Sequence, residues 1–358
     1  MTSDRHANSA VEAEQSEQTK LALGAMLIPI FFVIGFAVCI IGTYHNPDLH
    51  DIKVGVVGPA PLTAPLRAQL QQAAGSGFAI SPVPTLAQAT HAVRQRDLNA
   101  AFVPTTSASR PAIMVVASAN GRIVATAAET LAQEVTTAQG AQLAVREVRP
   151  LAPGDELGLG IFMFMIVCTV CGYIAVSVIY TAAPALDASR LYPMIAAIAV
   201  LVPTIAYLIG GLGYGVYRGS FGTILALIGV GALYTFVIGL VTRLFQVLIG
   251  PPALFVSLAI FVFLNIPSLG ATYTSPVLPS FWRFMNHFWI GAETVDAQRS
   301  ILYFGGQGVG TDMLRLLAWT AVIVALLALP VSRQLARRRE RSVVAGPMPA
   351  PARLAGTP

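Results

Sequence analysis

The sequence predicts a polytopic α-helical membrane protein with six transmembrane helices and a small extracytoplasmic α/β domain inserted between the first and second. Three observations predict it. No Asp, Glu, Lys or Arg occurs between Glu156 and Asp187, between Arg190 and Arg218, between Arg218 and Arg243, or between Arg243 and Arg283. The 358-residue chain is 55% hydrophobic and only 11% charged, where an ordinary soluble domain carries about 25% charge. A single mixed-polarity stretch, residues 44–156, separates the first apolar run from the rest. An ionised side chain at the bilayer centre costs roughly 2.5–3.5 kcal/mol on insertion scales, so charge-free apolar windows of about 20 residues read as spans.

Residues 1–20 form a polar N-terminal tail, and the first span covers 21–43. Its Pro29 is tolerable because neighbouring helices can satisfy the freed carbonyl. The run is longer than the apolar core of a signal peptide and no A-x-A site follows, which predicts an uncleaved anchor. The second span covers about 157–181, the third 192–215, the fourth 220–241, the fifth 252–271 and the sixth 313–331. Pro251 and Pro252 break the helix between the fourth and fifth. A basic tail, 333–358, carries Arg333, Arg337, Arg338, Arg339 and Arg341. Short-loop Arg and Lys favour the cytoplasm, which predicts both termini inside, 44–156 outside and residence in a bacterial inner (plasma) membrane.

The outer stretch alternates in period. Residues 52–57, 78–80, 100–103, 113–116 and 143–148 read as strands. Residues 61–74, with Leu62, Leu66 and Leu70 on one stripe, 85–96, capped by Thr85, and 121–140 read as helices. Strands alternating with helices predict a small α/β layer with a core of its own.

Several chemistries are not expected. Cys39, Cys168 and Cys171 all lie in apolar runs, so no disulfide staples the outer domain. Cys168 and Cys171 read as small packing residues. His91 has no second ligand at metal spacing, and Asp97, Glu129 and Glu134 read as solvated helix faces. With no G-x-S-x-G elbow, no enzyme, cofactor or metal site is expected. The net charge of +5 reflects span-flanking arginines, not a nucleic-acid surface. The two lysines, Lys20 and Lys53, follow no glycine, so no phosphate-binding loop exists. Spans two to five hold no carboxylate and no histidine, which argues against a proton relay.

Three groups of residues stand out. Gly211 and Gly215 stand four apart, a spacing that lets helix backbones approach, within the molecule or in a dimer. Asp187, Arg190 and Arg243 mark the short connections on the predicted cytoplasmic side. Residues 273–311 are too apolar for a free loop and too broken for a span. Phe281, Trp282, Phe288 and Trp289 suit an interfacial or re-entrant segment that serves as a gate or as an aromatic anchor.

Residues 52–57, 86–103, 117–140, 148–173 and 276–306, in that order, resemble the YhgE/Pip branch of the type-2 ABC exporter permeases, which includes phage-infection and EsaA-type membrane proteins. The layout of one span, an outer domain and five spans is similar as well. The resemblance implies a permease subunit of an exporter for a hydrophobic or amphipathic substrate, a homo- or heterodimer in the lipid bilayer, and a separate ATP-hydrolysing partner gripping Asp187, Arg190 and Arg243. The alternative it implies is a non-transporting envelope scaffold, secretion accessory or phage-receptor-like protein. The loop at 182–191 is shorter and less charged than such a docking surface usually is, and the outer domain lacks the long coiled coil of the phage-infection proteins.

Overall fold

The computed structural model describes residues 2–105 and 110–330. The protein is a polytopic, largely helical membrane protein with a β-sheet domain inserted after its first long apolar helix. Five described helices are long and apolar enough to cross a membrane: α1 (Glu14–Tyr44), α5 (Gly160–Ala182), α6 (Ala188–Gly213), α7 (Phe221–Ile249) and α11 (Val309–Ala328). Between α1 and α5 stand the domain helices α2 (Ala60–Ala74), α3 (Leu86–Arg94) and α4 (Arg122–Ala138). Between α7 and α11 come α8 (Ala253–Ser268), α9 (Ser280–Asn286) and α10 (Ile290–Tyr303).

Among the described residues five helices are long and apolar enough to cross a membrane, one fewer than the six expected. The predicted fifth span is α8, built of consecutive pieces of 6, 7 and 3 residues. At 1.5 Å per residue it reaches about 24 Å, less than the hydrocarbon core of about 30 Å. It nevertheless carries the chain back to the sheet side of the bundle. Beyond it, the Tyr273 hydroxyl donates to the Tyr44 carbonyl at the end of α1 (3.0 Å), and His50 N donates to Pro276 O (2.8 Å). Phe304, at the start of the α10–α11 turn, also lies against the sheet domain, under Arg96. The first and last long helices therefore both extend away from the sheet domain from their junction with it. The basic tail lies outside the described residues.

The sheet has the order β2-β1-β3-β4-β5, with β1 (Ile52–Val57), β2 (Phe78–Val83), β3 (Ala100–Val103), β4 (Ala112–Val116) and β5 (Leu143–Glu147). The β3–β4 pair is antiparallel and the other pairs are parallel. Both sheet faces are covered, as parallel strands require. Ile52, Val54, Val56, Phe102 and Met114 pack on one face with Leu66 and Leu70 of α2 and Ala128 and Leu131 of α4. Val57, Ala101 and Val115 pack on the other with Ala89 and Val93 of α3. Thr85 caps α3 by accepting from Gln88 N (3.2 Å). Val277, from the segment after α8, is fully buried in the first of these cores. The sheet domain is thus keyed into the bundle and not merely tethered to it.

In the bundle, α7 is the central helix, packed on α5, α6, α10 and α11. Tyr234, fully buried halfway along it, joins three helices: its hydroxyl pairs with Thr169 of α5 (2.7 Å) and accepts from Asn265 Nδ2 of α8 (2.8 Å). Helix α7 runs on to Ile249, so the stretch 243–250 predicted as a connection is almost entirely helix. Gly215 lies past the end of α6 with φ +68°, so Gly211 and Gly215 do not share a helical face. A Cβ on Gly211 would strike the ring of its own Tyr207, and Gly215 instead backs closely onto Gly154 before α5.

Candidate functional site: the domain–bundle junction and an apolar cleft

Helices α9 and α10 form a hairpin that packs along α11. Trp319 stands ten residues into α11, about 15 Å along its axis, yet its indole Nε1 donates to Phe288 O at the tip of the hairpin (3.0 Å). From that depth α10 climbs antiparallel to α11. Glu293 meets Arg315 (3.0 Å), and Phe304 reaches Arg96 of the sheet domain. Protein surrounds α10, which is buried from Ile290 to Val295 and from Ala297 to Ser300.

The predicted aromatic gate is split by this geometry. Phe281 (56% exposed) and Phe288 (41%) face outward, whereas Trp282 (8%) packs inward. Trp289 is half-buried and stacks edge-on against Trp319 at 6.2 Å. The first pair stands on the surface, and the second packs within the molecule.

Arg96 carries the junction. Helix α3 ends with Arg96 N bonded to Val93 O and Asp97 N to Ala92 O, a C-terminal turn that puts Arg96 in the left-handed region at φ +67°. That conformation costs a non-glycine residue about 1–2 kcal/mol, and glycine is its usual occupant. What offsets the cost is the guanidinium. Nε donates to Asn120 Oδ1 (2.9 Å), Nη1 to Ser300 Oγ (3.0 Å) and Nη2 to Asp296 Oδ1 (3.0 Å), with the group over the Phe304 ring at 5.4 Å. Asp296 is shared: Arg299 Nη1 reaches the same oxygen at 2.9 Å. Arg299 Nη2 donates to the carbonyls of Gly270 and Ala271, both at 2.8 Å. One carboxylate thus ties a sheet-domain arginine to a hairpin arginine, which in turn holds the end of α8.

Burial shapes the electrostatics. It lowers the pKa of Arg299, opposed by Asp296. It raises the Glu293 carboxyl, opposed by the hydrogen bond and charge of Arg315. Asp155, just before α5, is pushed up by burial and held back by the N–H groups of Gly160, Leu159 and Gly158. Tyr303 is pushed up to about 12 by burial and by Asp155.

A second feature lies in the half of the bundle away from the sheet domain. The later turns of α5 and the first turns of α8 enclose an apolar cleft of about 530 Å³. Tyr173, Ile174, Val178, Leu254, Phe255 and Leu258 line it, and Ile174, Val178, Leu254 and Phe255 are exposed at its rim. Its serine and threonine hydroxyls bond back to their own helix: Ser177 Oγ donates to Tyr173 O (2.8 Å) and Thr181 Oγ1 to Ser177 O (2.9 Å). The wall offered to an occupant is mostly hydrocarbon.

The three residues predicted to meet an ATPase are not alike. Asp187 precedes α6 and Arg190 lies in its first turn, both exposed. Arg243 is buried in α7 at 7% exposure, a correction to its predicted place in a connecting loop. Its charge marked a span end in the sequence, whereas the helix continues past it. Arg299 pairs with Asp296 at the junction, and Arg315 of α11 pairs with Glu293 of α10. Nothing near Arg96 in sequence marks it: its partner Asp296 is 200 residues away. Its one local signal is a non-glycine residue where α3 must stop.

Among the described residues no group of three or more His, Cys, Asp or Glu side chains could hold a metal ion. No family model matches the chain, and neither a curated protein nor a solved structure matches it.

Proposed function

We propose that this chain is the permease subunit of an ABC-type exporter that moves a hydrophobic or amphipathic substrate from the cytoplasm or inner leaflet of a bacterial inner membrane. The observation that carries the reading is the cleft between α5 and α8. Its volume falls in the range of about 300–1,000 Å³ typical of small-molecule sites, and its walls suit an acyl or other apolar moiety. The resemblance to the YhgE/Pip branch supports the same reading. So does the absence of a phosphate-binding loop in the sequence, which leaves ATP hydrolysis to another subunit. Asp187 and Arg190 are exposed charges available for that partner. Because the 182–191 loop carries only these two charges, the second reading is a non-transporting envelope scaffold. The exposed faces of α1, none of whose most apolar window is buried, favour it equally as a site for a neighbouring subunit.

On this reading the sheet domain is extracytoplasmic and both termini are cytoplasmic. A reporter active only outside the cytoplasm should work when fused at Asn120 and fail when fused at Gly346. The opposite result at either point would overturn the topology. The transport reading is tested by purifying the protein from native membranes, identifying the ATPase that accompanies it and reconstituting the two. Stimulated ATP turnover is expected, and Asp187→Ala with Arg190→Ala should lower it at least tenfold. Transport by the chain alone on a proton gradient would contradict the proposal, and absence of any ATPase would favour the scaffold.

A further inference from the structure

We infer that a polar pocket beside the Arg96–Asp296–Arg299 junction binds a phosphate group, carried either by a lipid headgroup or by free phosphate. The inference is independent of the transport reading. The pocket has a volume of about 160 Å³ and opens between the sheet domain and the hairpin, lined by Arg96, Asn99, Asn120, Thr274, Asp296 and Arg299 among others. That is room for about five waters at the liquid's 30 Å³ each and too little for a whole drug-sized ligand. A single oxyanion group and its first waters fit.

The lining has donors to spare. Thr274 is 6% exposed, and its Oγ1 is buried without a partner. A buried hydroxyl without a partner is costly, of order 1–3 kcal/mol in proteins, and marks a place where something else supplies the acceptor. Asn99 spends its Oδ1 on Lys53 N (2.9 Å), and Asn120 spends its Oδ1 on Arg96 Nε. Each therefore turns its NH₂ to other use. Asp296, the one carboxylate in the lining, is already claimed at Oδ1 by two guanidinium groups. Two arginines against one aspartate leave the lining with one net positive charge. Phosphate brings acceptor oxygens and negative charge to such a donor-rich surface, the pairing that makes the strongest hydrogen bonds. The position fits a membrane source. Its lining residue Thr274 follows Tyr273, whose ring meets that of Tyr44 at the end of α1 (centroids 5.1 Å apart), and tyrosines are enriched at the headgroup level.

The test uses the full-length protein, delipidated in a neutral detergent. Thermal unfolding is followed against dihexanoyl-phosphatidylglycerol and, separately, against inorganic phosphate. A ligand that binds the folded state raises Tm with the logarithm of its concentration. A saturable rise with both probes identifies a phosphate site, and a rise with the lipid alone assigns the headgroup. Asn99→Asp keeps the acceptor for Lys53 N while replacing the donor by a negative oxygen. It should weaken binding at least tenfold and leave the ligand-free Tm within about 2 °C. Thr274→Val removes the lone hydroxyl at nearly constant volume and should weaken binding three- to tenfold. It also serves as the probe if Asn99→Asp does not fold. No saturable shift with either probe, or an unchanged shift in the variants, would overturn the inference and leave the pocket to water.

Discussion

Replacing Arg96 with alanine should loosen the sheet domain from the helix bundle while leaving each folded. The substitution deletes three hydrogen bonds, one of them an ion pair that spans the junction. Hydrogen bonds to charged groups contribute about 1.5–3 kcal/mol each. Asp296 is 43% exposed, so water recovers part of that. Alanine also remains in the left-handed turn at φ +67°. A net loss of about 2–3 kcal/mol follows. It would be read as a lower unfolding temperature of the intact protein and faster proteolysis between α1 and β1 and between β5 and α5. Arg96→Gly should lose less, because glycine relieves the backbone cost while losing the same contacts.

A larger effect is expected at Arg299. It is 4% exposed, and its guanidinium serves Asp296 and two carbonyls at the end of α8. Arg299→Met leaves those carbonyls without a donor and removes one of the two cations at Asp296. Removing one partner of a buried pair typically costs about 3–5 kcal/mol. Lysine should not rescue it. An ammonium keeps the charge but cannot hold the planar fork that reaches three acceptors at once. Folded yield in detergent measures the first substitution, and Tm of Arg299→Lys the second. A lysine variant as stable as the parent would show that charge alone holds the hairpin.

What could be read in the sequence was what is local. Long charge-free runs mark α1, α5, α6, α7 and α11, because the cost of burying charge in lipid acts residue by residue. Period-2 and period-3.6 patterns mark the strands and helices of the sheet domain for the same reason. The errors came where a local sign had a distant cause. Arg243 reads as a span end, yet it lies buried in α7. Gly211 and Gly215 read as one face, yet Gly215 has left the helix. The fifth span reads as full length, yet α8 is short and the chain then enters the sheet domain through Val277. The junction could not be read at all. Arg96 and Asp296 lie in different domains, and Glu293 and Arg315 meet only because α10 turns back along α11. Three carboxylates outside the predicted spans, Asp155, Glu293 and Asp296, thereby become groups of the interior or the junction.

The sheet domain and the α9–α10 hairpin form one unit through Arg96 and Asp296. A double-mutant cycle tests it most directly. Unfolding free energies would be measured for the parent, Arg96→Ala, Asp296→Ala and the double variant, all as full-length protein in one detergent. Contacting residues in a shared network couple by about 0.5–3 kcal/mol, and this pair should couple by about 1.5 kcal/mol or more. Effects that simply add, with coupling below about 0.3 kcal/mol, would contradict the account.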